Sequence, residues 1–364
     1  MMKRAAGFTL IELLVVILLI GFVLAATSNT FVGLLSGYKQ QSKITETNIA
    51  GIISLEMLRR DIKSAGYGLP WGPIPMPAYL EATNSTADDY NDSDPATPNP
   101  PRAILSGLNA DGSAYLVLKG MNLAQNAACT KWVLLPPDSL PLEWFSSTPT
   151  HDNFSDDEMV VLISPGSNDA NFRTLVDTGP YSAIRTQSVP YETRIIYGVD
   201  NDDLQMPFNR ADYYLNTTGS VDIPGRCAPG TGVLVKSTIK QSDGALNTLP
   251  LLDCVADMQV VTNLDMSIPP DGEADTLSTG FWVAPGATAA ETIRDRLKEV
   301  RVYILAHEGQ RDTSYTYSQG TVLVGEQVGA TVYGRNFDLT AITDDWRNYR
   351  WKIYTLVVRP GSLR

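Results

Sequence analysis

The chain has 364 residues, 40 of them acidic against 28 basic, for a formal charge of −12. That balance argues against phosphate-backbone binding by the bulk surface, because displacing counterions from nucleic acid needs a basic face. With 43% hydrophobic and 9% aromatic residues the chain is too apolar for wholesale disorder, and its length suits one large domain or two modest ones.

Residues 8–26, from Phe8 to Ala26, are the one run long and apolar enough to span a bilayer, close to the roughly 20 residues that a spanning helix needs. Lys3 and Arg4 precede it, and positive residues stay on the cytoplasmic side, so residues from about 27 onward are expected across the membrane. A lone carboxylate, Glu12, interrupts the run. A charge inside a spanning helix costs roughly 2.5 to 3.5 kcal/mol at its centre and less near an end, so a partner is expected, and one outside this chain. Snorkelling to the head groups is the bland alternative. A removable secretory signal, cut near Ala25-Ala26, is the competing reading of the whole segment. The glutamate and the short charged leader ending in Gly7 speak against it, since they put the cut ahead of the apolar run and leave the helix on the mature protein.

The helical pattern continues past the span. Ile44, Ile49, Ile52, Ile53, Met57, Leu58, Ile62 and Ala65 return every three or four residues, predicting one packing side, while Lys39, Gln41, Glu46 and Asn48 cover the rest. Gly66-Tyr67-Gly68-Leu69-Pro70 then stops the helix by combining C-cap glycines with a proline. A single helix over 8–65, amphipathic over 38–65, would be about 87 Å long.

Gly7-Phe8-Thr9-Leu10-Ile11-Glu12 resembles the processing signature of type IV prepilins and of type II secretion pseudopilins. The resemblance implies that residues 1–7 are a leader, that a prepilin peptidase cuts between Gly7 and Phe8, and that Phe8 is then N-methylated. It also supplies the counter-ion: the new ammonium on Phe8 of one subunit would neutralise Glu12 of its neighbour in a filament, where an unpaired buried charge is costly. Leu58-Arg59-Arg60-Asp61-Ile62-Lys63-Ser64-Ala65-Gly66-Tyr67-Gly68 resembles the helix end of PilW-like minor pilins. Weaker similarity recurs in order at Tyr197 to Asp200, Val255 to Val261, Leu297 to Leu305 and Tyr349 to Arg359.

Residues 66–102 read as a long surface loop, because seven prolines fall between 71 and 101 and Asp88-Asp89-Tyr90-Asn91-Asp92-Ser93-Asp94 lacks apolar periodicity. The head, 103–364, reads as β-rich. Strands are predicted at 114–119, 131–135, 159–164, 172–176, 192–199, 233–239, 255–262, 299–306, 321–325 and 350–359, with helical signal only near 289–297. The fold class is therefore α+β and pilin-like: a long N-terminal helix packed on an antiparallel sheet, with Val300 to Leu305 as a central strand behind the helix and an enlarged C-terminal head.

Three cysteines follow the span. Cys227 and Cys254 are disulfide candidates, with Cys129 left over, although any pairing is open from sequence. No metal site is expected, since Cys-x-x-Cys is absent and His151 and His307 stand apart in sequence. Asp88, Asp92 and Asp94 are weak calcium candidates, as is the Asp200-Asn201-Asp202-Asp203 run, because both offer hard oxygens without an EF-hand pattern. Tyr213-Tyr214 and Trp144-Phe145 suit either a core or an adhesive surface. No zinc helix, nucleophile elbow, phosphate loop or dinucleotide fingerprint occurs, so neither enzyme activity nor a cofactor is expected.

The resemblance implies an inner-membrane subunit with a periplasmic head, later at the pilus tip or cell surface. Its expected partners are other minor pilins, the major pilin, the prepilin peptidase, the inner-membrane assembly platform and membrane lipid. The alternatives are a type II secretion pseudopilin, or an adhesin or DNA-capture head on a pilin stem.

Overall fold

The computed structural model describes residues 9–363 apart from 73, 75–78, 94–98, 125, 138–153, 155–157, 167–172, 176–191, 202, 219–220, 281–284 and 287. Helix α1 (Leu10–Ser64) runs unbroken, about 82 Å at 1.5 Å per residue. It ends where Gly66 and Gly68 take φ of +87° and +72°, the left-handed region that side chains avoid. At Gly68 a Cβ would also come within 2.4 Å of Met121 Cγ, so any side chain there would be strained and would displace Met121.

In chain order the strands are β1 (Ile104–Leu108), β2 (Ala114–Gly120), β3 (Trp132–Leu135), β4 (Met159–Ser164), β5 (Thr174–Leu175), β6 (Arg194–Asp200), β7 (Asn209–Asn216), β8 (Gly232–Ile239), β9 (Leu246–Leu264), β10 (Thr276–Thr279), β11 (Leu297–Glu308), β12 (Thr321–Val328), β13 (Thr331–Asp338) and β14 (Arg350–Val358). A short helix, α2 (Ala289–Arg296), precedes β11. The main sheet has the order β1-β2-β7-β8-β9-β11-β14, with β10 on β9; β3-β6-β4-β5 form a second sheet and β12-β13 a hairpin. Every pairing is antiparallel. This is an α+β, pilin-like fold with a β-rich head. β11 lies between β9 and β14, and α1 crosses all three, as the run Val300 to Leu305 predicts.

The side that α1 presents to the sheet differs from the predicted one. Thr47, Gly51, Ser54, Leu58, Asp61 and Ala65 are buried at alternating steps of four and three, with Ile62 beside Asp61, whereas Ile49, Ile52 and Ile53 are 54%, 66% and 60% exposed. The reason is packing distance. A Cβ on Gly51 would sit 3.0 Å from the Tyr354 ring, so the helix lies too close to β14 for a row of isoleucines, and small residues face the sheet. Hydrophobicity alone merged two faces into one.

Alternation along the strands gives the main sheet two covered sides. Tyr213 and Lys236 reach Asp61 on the helix side. On the far side the β12-β13 hairpin, with Trp346, Tyr349 and Trp351, packs over Tyr303 and Leu305 of β11. The described residues between Tyr79 and Arg102 cover the far side of β2 and β7, which corrects the reading of 66–102 as a surface loop. Tyr79, Glu81, Tyr90, Asp92 and Arg102 are all buried. The polar pattern misled because these charges are satisfied by one another inside the head and not by water.

Ten predicted strand positions are occupied by strands, with β9 extended to 19 residues. Strands β1, β7, β10 and β13 were not predicted. In β7 the sequence Asn-Arg-Ala-Asp-Tyr-Tyr-Leu-Asn puts Arg210 and Asp212 at fully buried positions, so it does not read as a half-apolar strand.

Candidate functional site

Two regions carry chemistry: the N-terminal helix and the charged interior of the head. Gly7 and Phe8, the expected processing residues, lie outside the described residues. The helix begins two residues later with a capping box. Thr9 N–H and Oγ1 each donate to Glu12 Oε2 at 2.8 Å, and Glu12 N–H donates to Thr9 Oγ1 at 3.3 Å. In the single subunit Glu12 therefore has a partner in its own chain, a correction to the expectation of a purely external one. The physical reason is local: first-turn N–H groups lack helical acceptors, and a glutamate three residues in reaches back to them. A carboxylate has capacity left after two bonds, so the cap does not exclude a second, intermolecular partner.

From Leu10 to Leu24 the large apolar side chains are exposed on every side of the helix, from 49% upward. By length and composition α1 is the helix among the described residues that can cross a membrane.

Lower down, the helix is locked to the head by one buried charge. Lys236 Nζ and Tyr213 Oη both donate to Asp61 Oδ2 at 2.5 Å, and Ser54 Oγ donates to the Leu251 carbonyl at 2.5 Å. The segment Arg59 to Gly68 thus has a structural meaning. Asp61 pins the helix to β7 and β8, Ile62 and Ala65 enter the core, and Gly66 N–H donates to Lys119 O at 2.8 Å as the chain turns away.

The largest polar feature is a dry ionic cluster beneath 79–102. Lys119 Nζ contacts Glu81 Oε2 and Asp92 Oδ2, each at 2.6 Å; Arg102 pairs with Asp92; and Arg210 pairs with Asp212 at 2.8 Å and with Glu81 at 3.3 Å. All six side chains are fully buried, three of each sign, so the cluster is neutral. Burial alone would raise the Glu81 carboxyl, but Lys119 and Arg210 outweigh it and hold it below its usual value. Sequence reasoning missed this set entirely. Its members are far apart in the chain, and the one signal was a charge, Lys119, in the otherwise apolar β2.

That cluster takes Asp92 out of the calcium candidates. Asp92 is committed to Arg102 and Lys119, Asp88 is exposed on a single 3-10 turn, and Asp94 lies outside the described residues, as does Asp202 of the second run. An ammonium already occupies the place a cation would take.

Cys227 and Cys254 form a disulfide, and Cys129 is a buried free thiol, pushed up by burial. Replacing Cys227 and Cys254 with serine is expected to cost about 3 to 4 kcal/mol by the loop-entropy estimate, measurable as a lower urea midpoint. His307, distant from the cysteines in sequence, is brought beside them, which corrects its reading as isolated; the three side chains offer ligand atoms within 4.8 Å of one another. With both sulfurs in a disulfide they do not form a metal site. His151 lies outside the described residues.

His307 accepts a 2.9 Å bond from Ala228 N–H through Nε2 and is flanked by Tyr349 and Trp351, with Arg226 also near. Burial drives its pKa down to about 4, so between roughly pH 6.5 and 4 the unfolded chain binds a proton that the folded one refuses. Stability is expected to fall as pH drops through that window, by up to about 3 kcal/mol. The replacement His307→Gln should flatten this acid limb in urea unfolding followed against pH.

A cleft of about 390 Å³ gathers Arg294, Lys298, Arg301 and Arg359 on one edge of the head. Arg301 is paired with Glu299 and Glu326, Lys298 lies 3.7 Å from Asp265, and Arg294 stacks over Trp71, so this basic group is largely matched internally.

Residues 2–28 match the family described as the prokaryotic N-terminal methylation motif. The chain is thus type IV prepilin-like, a pilin-like or pseudopilin-like protein, and the motif implies prepilin peptidase processing and assembly with other pilins. Proteins with this motif are generally structural, and the apolar helix that carries it fits membrane anchoring. No curated protein and no solved structure matches the chain.

Proposed function

We propose that this protein is a minor pilin, PilW-like, which joins other pilin-like subunits at or near the tip of a type IV pilus and primes its assembly. The observation that carries the reading is the bulk of the head. A long helix bears an eight-stranded sheet, a four-stranded sheet and a separate hairpin, which would be hard to repeat at every position of a filament. The exposed ridge Ile49, Ile52 and Ile53 adds to this, since it extends the apolar surface of the span into the half of α1 that packs on the head and offers it to a neighbouring subunit.

Gly7 and Phe8 act as the cleavage pair, Phe8 becomes the methylated N-terminus, and Glu12 takes its ammonium from the next subunit. Intact-mass spectrometry of the mature N-terminus, together with identification of co-purifying subunits, tests the reading. A methylated Phe8 in company with pilins supports it; an intact Met1 or a cut near Ala26 overturns it. Co-purification with type II secretion components instead would make the protein a pseudopilin, whose processing motif is the same.

A further inference from the structure

The far side of the main sheet is not completely covered. Between the turn at Asn84 to Tyr90 and the β1-β2 turn lies a cleft of about 760 Å³, within the roughly 300 to 1,000 Å³ of small-ligand sites. Its floor is aromatic. Tyr90, Tyr115 and Tyr214 are stacked, with centroids 5.0 and 5.1 Å apart and planes within 12° and 10° of parallel. Tyr115 is the middle ring, so one face of Tyr214 is covered by it, and among the described residues no ring stacks on the other; Tyr214 is partly buried and lines the cleft.

The stack is held in place from below. Tyr115 Oη donates to Asp212 Oδ2 at 2.7 Å, which ties it to the buried ionic cluster, and Ser237 Oγ donates to Tyr214 Oη at 3.2 Å. Gly107 lies against Tyr90 Oη so closely that a Cβ there would come within 2.1 Å. The platform is therefore fixed before any ligand arrives, which limits the ordering cost of binding.

Around this floor the walls are mixed: Leu108, Ala110, Leu215 and Leu246 add apolar surface, and the polar groups are uncharged or acidic. Asn84, Thr86 and Asp89 are exposed on one side, and Asp111, Thr217 and Thr218 on the other, while no Lys, Arg or His is among the described residues that line the cleft. A rigid aromatic face with amides, hydroxyls and carboxylates at its margin suits a ring that is apolar on its face and hydroxylated at its edge. That is a pyranose. The acidic margin and the absence of cations disfavour phosphates, nucleic acid and acidic sugars.

We propose that this cleft binds a short neutral oligosaccharide, with one sugar ring stacked on Tyr214 and its hydroxyls bonded to the rim. The competing occupant of a Tyr- and Asn-lined surface is a loop of another protein, which would leave sugars unbound.

The test uses the full chain in a sugar-free zwitterionic detergent against cello-, xylo-, malto- and chito-oligosaccharides and N-acetyllactosamine, with sialyllactose as the anionic comparison. Binding is read by saturation-transfer NMR and calorimetry. At least one neutral member should bind and sialyllactose should not. Tyr214→Ala should weaken that binding about tenfold or more, the scale of one lost aromatic contact. Because Tyr214 also packs, a second variant, Thr86→Trp, fills the cleft from an exposed position and should abolish binding with thermal unfolding unchanged. The proposal is overturned if no neutral oligosaccharide binds below roughly 10 mM, which is affinity too weak to need a built site. Binding that both variants leave intact, or a preference for sialyllactose, overturns it equally.

Discussion

Replacing Lys119 with methionine is expected to cost about 3 to 5 kcal/mol, a large part of the stability of a domain, because it strands Glu81 and Asp92 as buried carboxylates without their shared ammonium. Lys119 is fully enclosed and joins the 79–102 segment to β2, so the same change should free that segment from the sheet. Urea unfolding of the variant measures the loss, and protease cleavage between 79 and 102 reports the release. A double change, Lys119→Met with Glu81→Gln, should recover part of the loss, since it removes one of the stranded charges. A cost below about 1 kcal/mol for the single variant would mean that the cluster relaxes to water, contrary to its burial. The pH dependence has a defined sign. Glu81 is held below the ordinary carboxylate value, so its contribution is complete above the unfolded value near 4.5 and is lost as pH falls through the lower folded one.

Glu12→Ala is expected to leave the head folded and the protein in the membrane while abolishing its incorporation into filaments. Removing a charge from the span makes insertion easier, by up to about 3 kcal/mol, so failure of assembly could not be blamed on failure to insert. The control is Thr9→Ala. It breaks the capping box at a cost of about 1 kcal/mol but keeps the carboxylate, and should therefore still assemble. Membrane fractionation, circular dichroism of the head and quantification of the subunit in sheared filaments give the three readouts. Normal incorporation of Glu12→Ala would refute the intermolecular role and leave Glu12 as a cap alone.

Particular elements show what was legible in the sequence. The spanning helix, its end at Gly66 and Gly68, and the central strand from Val300 to Leu305 are written in local terms: an apolar run, φ-permissive glycines, and a continuous stretch rich in β-branched and aromatic residues. Strand β7 was not legible, since Arg210 and Asp212 look like surface residues until Glu81 and Tyr115 are placed beside them. The isoleucines of α1 failed for a related reason. Their spacing says that they share a side of the helix, but only the closeness of Tyr354 to Gly51 decides that this side faces away from the sheet.

The site divides in the same way. The methylation motif at residues 2–28 is legible because such a signature is contiguous in the chain. The tyrosine floor of the cleft joins β2, β7 and the turn at Tyr90, three segments spread over more than a hundred residues, and Tyr213 and Tyr214 were ambiguous from sequence. In the structure they part company: Tyr213 is bonded to Asp61 in the core, and Tyr214 lies at the cleft.

The sequence by itself determined that this chain has one apolar helix of membrane-spanning length carrying a methylation motif and continues into a β-rich head, because hydrophobic length, periodicity and a contiguous signature are local properties. Which charges are buried, which face of the helix is free, and where the head can hold a ligand were decided only by the tertiary structure. Each of those depends on groups far apart in the chain meeting in a low-dielectric interior, where a lysine between two carboxylates is stable and the same lysine alone is not.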